Sequence, residues 1–277
     1  MHVMYENGVQ PSQDPSGGWE SEESIDIEMA HAMAPNAAIY LMEAQSSGFG
    51  DLFTAIDQGN TMILEQAGGG SLSMSWGSGE FDGENGYDSN FSQPNVIYFS
   101  SAGDGPGVNY PSASPDVVSV GGTTISRNAS TGNGELETAW YSTGGGPSQY
   151  ESIPSYQSVV KNIVGAQRGT PDVAFDADGR TPVWFYDTIP INGQSGTWWL
   201  GSGTSVSAPA WAGIVNSTGS KNASTTAELT EIYNHMGNAS DFRDLKQGTC
   251  GNYAGYLTVA GYDFCTGVGS DLGKPRK

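Results

Sequence analysis

The stretch "GSGTSVSAP" (201–209) places Ser205 among small residues, just ahead of an apolar, helix-like run. Small neighbours let the main chain come close to a substrate carbonyl. A serine at a helix start also has backbone N–H groups beside it. That arrangement suits acyl transfer, in which the hydroxyl attacks and a base takes its proton. A plain N-cap needs the same residue type and is the alternative role for Ser205 by itself. The familiar base is histidine, and the chain has three: His2, His31 and His235.

A second candidate base lies in "WESEESIDIEMAHAMAP", read as a helix over about 19–34. With Glu22 set at zero on a wheel of about 100° per residue, Ile25, Met29, Ala32 and Met33 fall within about −80° to +20° and form the apolar stripe. Glu22 and Asp26 lie in or beside that stripe, one turn apart. Glu20, Glu23 and Glu28 point elsewhere, toward solvent, and His31 falls near the opposite face. Two carboxylates held together against apolar neighbours cannot both ionise easily, so one pKa rises. Such a pair can share a proton and act as a base in acid, where imidazole is already protonated. The plain alternative is a capping or snorkelling acid. In "FSSAGDGPGVNYPSASP" a strand runs into Gly103-Asp104-Gly105. Asp104 is either a turn residue bonding its own backbone or, when protonated, a donor to a developing oxyanion.

The elements that must hold these groups alternate. "AAIYLMEA" (37–44), "NVIYFSSA" (95–102), "DVVSVGGTT" (116–124) and "PDVAFDAD" (171–178) read as buried strands without two-residue alternation. "VWFYDT" and "GTWWLGSG" flank "IPINGQSG" as a hairpin or longer excursion. Helices are expected at about 19–34, 50–58, 205–217 and 225–236. Strands interleaved with helices predict an α/β layer fold around a mainly parallel sheet, with chemistry at the carboxyl ends of its strands.

Composition narrows the function. The net charge is −20, from 30 acids against 10 bases. A chain this acidic repels phosphate backbones, which argues against nucleic acid. No apolar run is long enough to span a bilayer, and no leader pattern opens the chain. Charged residues make up only 14%. With most carboxylates protonated, few positive charges remain to repel one another, so the composition tolerates acid. Cys250 and Cys265 are the only cysteines. They form either a disulfide, as suits an extracellular protein, or two free thiols.

Together, "ESEESID", "SAGDG" and "SGTSVSAP" resemble, in order, the hallmark of the sedolisin family, the serine-carboxyl peptidases: a Glu-X-X-X-Asp helix, a Gly-Asp turn after a strand, and a late Ser-Gly-Thr-Ser-X-Ser-X-Pro stretch. The likeness runs from about Trp19 to Gly269. "MSWGSGEF", "YPSASPDVVSVGGTT", "ETAWYSTGGG", "RGTPDVAFDAD" and "AGYDFCTGVGS" resemble the family too. The serine motif alone is shared with subtilisins, whereas the ordered set is specific.

The resemblance implies a subtilisin-like α/β fold, with a mainly parallel seven-stranded sheet flanked by helices, in one peptidase domain over 1–277. It implies Ser205 as nucleophile, Glu22 as base, Asp26 as its proton-sharing partner and Asp104 at the oxyanion. Ser75, Trp76 and Gly77 would offer main-chain hydrogen bonds to an extended peptide. A structural Ca2+ would take the carboxylates of Asp244 and Asp263 and the carbonyls of Leu245, Val259 and Gly261, Val259 standing where the family tends to have glycine. A first strand, a signal segment and a propeptide are expected ahead of Trp19, and none is read in residues 1–18. The implied protein is a secreted, monomeric endopeptidase of peptides or proteins, working in acid. The alternative is an inactive or fragmentary extracellular binding protein that keeps the fold. A neutral, histidine-dependent enzyme is disfavoured by the place of His31.

Overall fold

The computed structural model describes residues 1–189, 196–219, 222–251 and 256–272. Its centre is the strand Val96–Ser101, in which Val96, Ile97, Tyr98 and Phe99 are all 0% exposed. Alternate residues face different layers. Ile97 and Phe99 pack with Trp211 and Val215 of the helix Thr204–Ser217, whereas Val96 and Tyr98 pack with Phe53 and Ile56 of α2 (Phe49–Ala67). Burial on both faces is why the sequence lacks alternation there.

Five strands of the seven-stranded sheet run parallel: Gly70–Met74 (β3), Val96–Ser101, Val118–Arg127, Val173–Asp176 and Ser270–Asp271. Phe242–Arg243 and Gly134–Ala139 add antiparallel to it. This is the mainly parallel seven-stranded sheet with flanking helices expected from the sequence. Among the described residues no helix is long and apolar enough to cross a membrane.

Several expectations change in detail. The helix read at 50–58 continues to Ala67 and stops at Gly68, whose φ is +66°. Polar Asn60 does not end it, because its Oδ1 accepts the buried Tyr98 hydroxyl at 2.7 Å. "AAIYLMEA" yields only Tyr40–Glu43 (β2), half-buried and outside the main sheet. It pairs in parallel with a strand His2–Tyr5 (β1), in the segment where none was read, and His2 stacks on Tyr40. Between β2 and β3 lies a cavity of about 810 Å³. The hairpin forms from Val183–Asp187 and Thr197–Gly201, while residues 190–195 of its connection lie outside the described residues. Cys250 and Cys265 are joined in a disulfide.

Candidate active site

The helix α1 (Gly18–Met33) carries the acid pair. Its start is fixed by Asp14, whose Oδ2 accepts the N–H groups of Gly18 and Trp19 at 3.0 and 3.2 Å. The Ser16 hydroxyl and N–H first, then the N–H groups of Trp19 and Gly18, hold Asp14 at about 2, as befits an anion at a helix N-terminus. Ile25 and Met29 bury against Phe185, Val206 and Ala210, which clamps α1 between the hairpin and the serine helix. Ala32, placed in the apolar stripe by the wheel, is exposed, while Met33 beside it still packs on the serine helix.

That clamp turns Glu22 toward the serine turn, where its carboxyl faces the Ser205 hydroxyl. Among residues 203–210 Ser205 alone is not buried. Burial raises Glu22 well above the ordinary carboxylate range. The Ser205 hydroxyl pulls it back, the Asp104 charge raises it and Ser75 lowers it. Glu22 Oε1 is buried with no hydrogen-bond partner, which leaves an oxygen free to take a proton. Asp26, one turn on, is also raised well above its ordinary value, by burial first and by Glu22 second. Its Oδ1 accepts the Ser75 hydroxyl at 2.5 Å.

Glu23, expected in solvent, belongs to the same group. Burial, with Glu43 of β2 and Glu20, pushes it up to about 7. The wheel treated one face as the inside, but α1 also borders the cavity, which β2 bounds from the far side. Glu28 is engaged as well, accepting the N–H of Tyr186 at 3.0 Å.

The Gly-Asp turn is tied to the serine turn. Asp104 Oδ1 accepts the Thr204 N–H at 2.7 Å and its hydroxyl at 2.9 Å, and the Thr204 hydroxyl accepts the Gly103 N–H at 3.0 Å. Gly203, with φ +111°, has no alternative: a Cβ there would lie 2.5 Å from Asp104 Oδ2. The Thr204 N–H at the helix start is therefore spent on Asp104 rather than offered to a substrate oxygen. Thr204, which the sequence did not single out, is what joins the two motifs.

Ser75, Trp76 and Gly77 follow β3. Trp76 is wedged against Phe49 and Phe53 at 5.9 and 6.1 Å between ring centres. Gly77 passes so close to strand Asn109–Tyr110 that a Cβ would meet the Tyr110 carbonyl at 2.8 Å. The cavity reaches Glu22, Asp26, Ser75 and Trp76, with Trp19 and Asp187 at its wall; Ser205, Asp104 and Gly77 are not among the residues lining it. None of the three histidines serves Ser205. His2 stacks on Tyr40, His31 is exposed on α1, and His235 pairs with Glu231 and Asp241.

At the other end of the chain Asp244 and Asp263 meet one loop. Asp263 Oδ2 accepts the Val259 N–H at 3.1 Å, and Asp244 Oδ1 accepts the Gly261 N–H at 3.2 Å. Asp244 also pairs with Lys246 at 3.2 Å, and Asp263 Oδ1 accepts the N–H groups of Cys265 and Thr266. Among the described residues no group of three or more His, Cys, Asp or Glu side chains converges as a metal site.

A subtilisin-like α/β sheet carrying a helix-start serine against a half-buried carboxyl pair is the serine-carboxyl arrangement. Kumamolisin from Bacillus sp. (strain MN-32) is 31% identical over 294 residues, covering 95% of this chain and 51% of that protein. Sedolisin from Pseudomonas sp. (strain 101) is 35% identical over 182 residues, 60% of this chain and 29% of that protein. The chain belongs to the sedolisin family. Among solved structures, Pseudomonas sedolisin, a serine-carboxyl proteinase in complex with two molecules of pseudo-iodotyrostatin, superposes with a TM-score of 0.77 at 26% identity, over 98% of this chain and 88% of that one. Sphericase, with a TM-score of 0.53 at 18% identity over 86% of this chain and 69% of that one, shares the fold. The chain spans about half the length of kumamolisin and less of sedolisin. No family model matches it.

Proposed function

We propose that this chain is the peptidase domain of a secreted serine-carboxyl endopeptidase that hydrolyses peptide bonds in acid through an acyl-enzyme on Ser205. The observation that carries the reading is the Glu22 carboxyl, half-buried beside Asp26 and facing the hydroxyl of the one residue of its turn that is not fully buried. In the singly protonated pair Asp26 holds the proton and Glu22 is the base. As Ser205 Oγ bonds the scissile carbonyl carbon, its proton passes to Glu22. Asp104 helps stabilise the oxygen on which charge develops. Glu22 then gives its proton to the leaving amine, and water repeats the sequence to release the acyl group. Ser75, Trp76 and Gly77 hold the peptide through their main chain.

Both carboxyls are raised, so in mildly acidic solution the pair still holds protons that a lone carboxylate of pKa about 4.3 has already released. The rate therefore climbs above that value as the pair releases its first proton and falls again as Asp26 releases the second. Secretion is supported by the disulfide. A propeptide is a proposed partner, and the domain acts as a monomer.

The test is a peptide aldehyde, which forms a tetrahedral adduct with an active serine. Mass spectrometry is expected to find it on Ser205 in weak acid, with cleavage of an unfolded protein abolished in both the aldehyde-treated chain and Ser205→Ala. Cleavage that survives Ser205→Ala sinks the mechanism. A folded chain that takes no label and cleaves nothing points instead to a binding protein.

A structural Ca2+ is part of the proposal. Asp244 and Asp263 would hold it with the carbonyls of Leu245, Val259 and Gly261, an all-oxygen set that suits a hard cation. What supports it is that both carboxylates already abut the 259–263 loop, which the disulfide at Cys265 anchors. Added calcium is expected to raise Tm by several degrees and a chelator to reverse it; Asp263→Asn should show neither change. A Tm indifferent to calcium in the parent chain counts against the site.

A further inference from the structure

The main chain of Ser75 is the part expected to contact substrate, and its side chain does something else. Its hydroxyl donates to Asp26 Oδ1 at 2.5 Å and also faces the Glu22 carboxyl, so it stands between the two acids. It closes β3 at the point where α1 passes, and Trp76, packed on Phe49 and Phe53, fixes the backbone that presents it. A hydroxyl has one proton to donate and two lone pairs. It can therefore donate to one carboxylate only while accepting from the other carboxylic acid.

We propose that Ser75 is a positioning residue that relays the single proton of the pair between Glu22 and Asp26 and so resets Glu22 as the base; this rests on the function proposed above. Two arrangements interconvert. In the first, Glu22 carries the proton and donates to Ser75 Oγ, whose own O–H points to the Asp26 carboxylate. In the second, Asp26 carries the proton and donates to Oγ, whose O–H points to the Glu22 carboxylate. Passing from the first to the second breaks the Glu22 O–H and the Ser75 O–H and makes a new Ser75 O–H and an Asp26 O–H, so the hydroxyl emerges unchanged. The donor hydrogen-bonding the observed Asp26 corresponds to the first arrangement, and the second is the state ready for attack.

The other groups facing the pair are nearly all acids. Glu23 on α1 bears on Asp26, Asp104 on the turn after Val96–Ser101 bears on Glu22, and Glu20 of α1 and Glu43 of β2 bear in turn on Glu23. The remaining polar neighbour is the Ser205 hydroxyl. Among the described residues no Lys, Arg or His forms an ion pair with any of these acids. With no cation nearby, hydroxyl donors are what favour the ionised form, and Ser75 is the one that serves both carboxyls.

The test is the pH profile of kcat and kcat/KM for wild type, Ser75→Ala and Ser75→Thr, with Ser205→Ala as the blank and Tm recorded for each. Losing a donor to a carboxylate raises its pKa. In Ser75→Ala the acid limb is expected to move up by about one pH unit and kcat to fall about 10-fold or more, with KM nearly unchanged because the main chain remains. Ser75→Thr keeps the hydroxyl and should return the limb to its wild-type place. A Ser75→Ala limb that does not move, or a change confined to KM, overturns the relay. Ser75→Gly carries the same test if the alanine variant does not fold. Wild type that cleaves no better than Ser205→Ala sinks the functional reading itself, whereas an active wild type with an unmoved Ser75→Ala limb sinks the relay alone.

Discussion

Asp26→Asn is expected to lower kcat/KM by about 10⁴-fold while the protein stays folded, the scale seen when an isosteric amide replaces the carboxylate behind a catalytic base. Asparagine fills the same space and can still accept the Ser75 hydroxyl. It cannot give up or take a proton, so Glu22 loses the partner with which it shares one. The second half of the expectation separates this from unfolding. Burial raises the Asp26 carboxyl, so its ionised form opposes the fold, and the amide should be at least as stable as wild type at neutral pH. The decisive pair of measurements is kcat/KM on a peptide in weak acid and Tm near neutrality. Near-normal rates remove Asp26 from the mechanism, and a collapsed Tm with lost activity would mean that its role is architectural.

Thermal stability should fall by about 5–10 °C between pH 4.5 and 7.5, the reverse of many proteins. Glu23 and Glu151 are pushed up to about 7, Glu84 to about 8 and Asp176 to about 6, each by burial first. Glu22 and Asp26 move the same way. A raised carboxyl keeps its proton in the fold when the unfolded chain has already released it. From about pH 4 to 8 the native state thus binds more protons, and its stability declines as pH rises. The opposite contributions, from the lowered Asp14 and Asp178, are lost only in stronger acid.

The steepest part should come from a second acid cluster, away from Ser205. Glu84 Oε2 accepts the Phe81 N–H at 2.8 Å, Glu80 accepts the Ser148 hydroxyl and the Gln149 N–H, and Asp88 accepts the Tyr110 hydroxyl at 3.2 Å. Glu84 and Glu151 each bury an Oε1 that has no partner, and no ion pair to this cluster occurs among the described residues. Glu84→Gln should therefore raise Tm at pH 7.5 and leave it nearly unchanged at pH 4.5. A flat Tm profile in wild type, or a Gln variant that gains nothing at neutral pH, would contradict this account.

The candidate residues of the site were legible as candidates because their types are rare in such settings. A serine among small residues, a carboxyl pair one turn apart beside an apolar stripe, and a Gly-Asp turn after a strand each carry chemistry in their local spacing. The parallel sheet was legible for a related reason: a strand covered on both faces must be apolar throughout, as Val96–Phe99 is. Even the length of the acid helix followed from its period, to within a residue.

What the sequence could not set is which groups meet across the chain. Glu23 at about 7 depends on Glu43, 20 positions away on a strand, and the wheel of one helix contains no second wall. Thr204 joins Asp104 to the serine turn through two hydrogen bonds, 100 residues apart. Ser75 reaches Asp26 across 49 residues. Spacing along the chain fixes a side chain's face on its own helix or strand, because that is a matter of local geometry. Desolvation and charge coupling are sums over everything packed nearby. Only the folded chain, with α1 clamped between hairpin and serine helix, decided which carboxyls keep their protons.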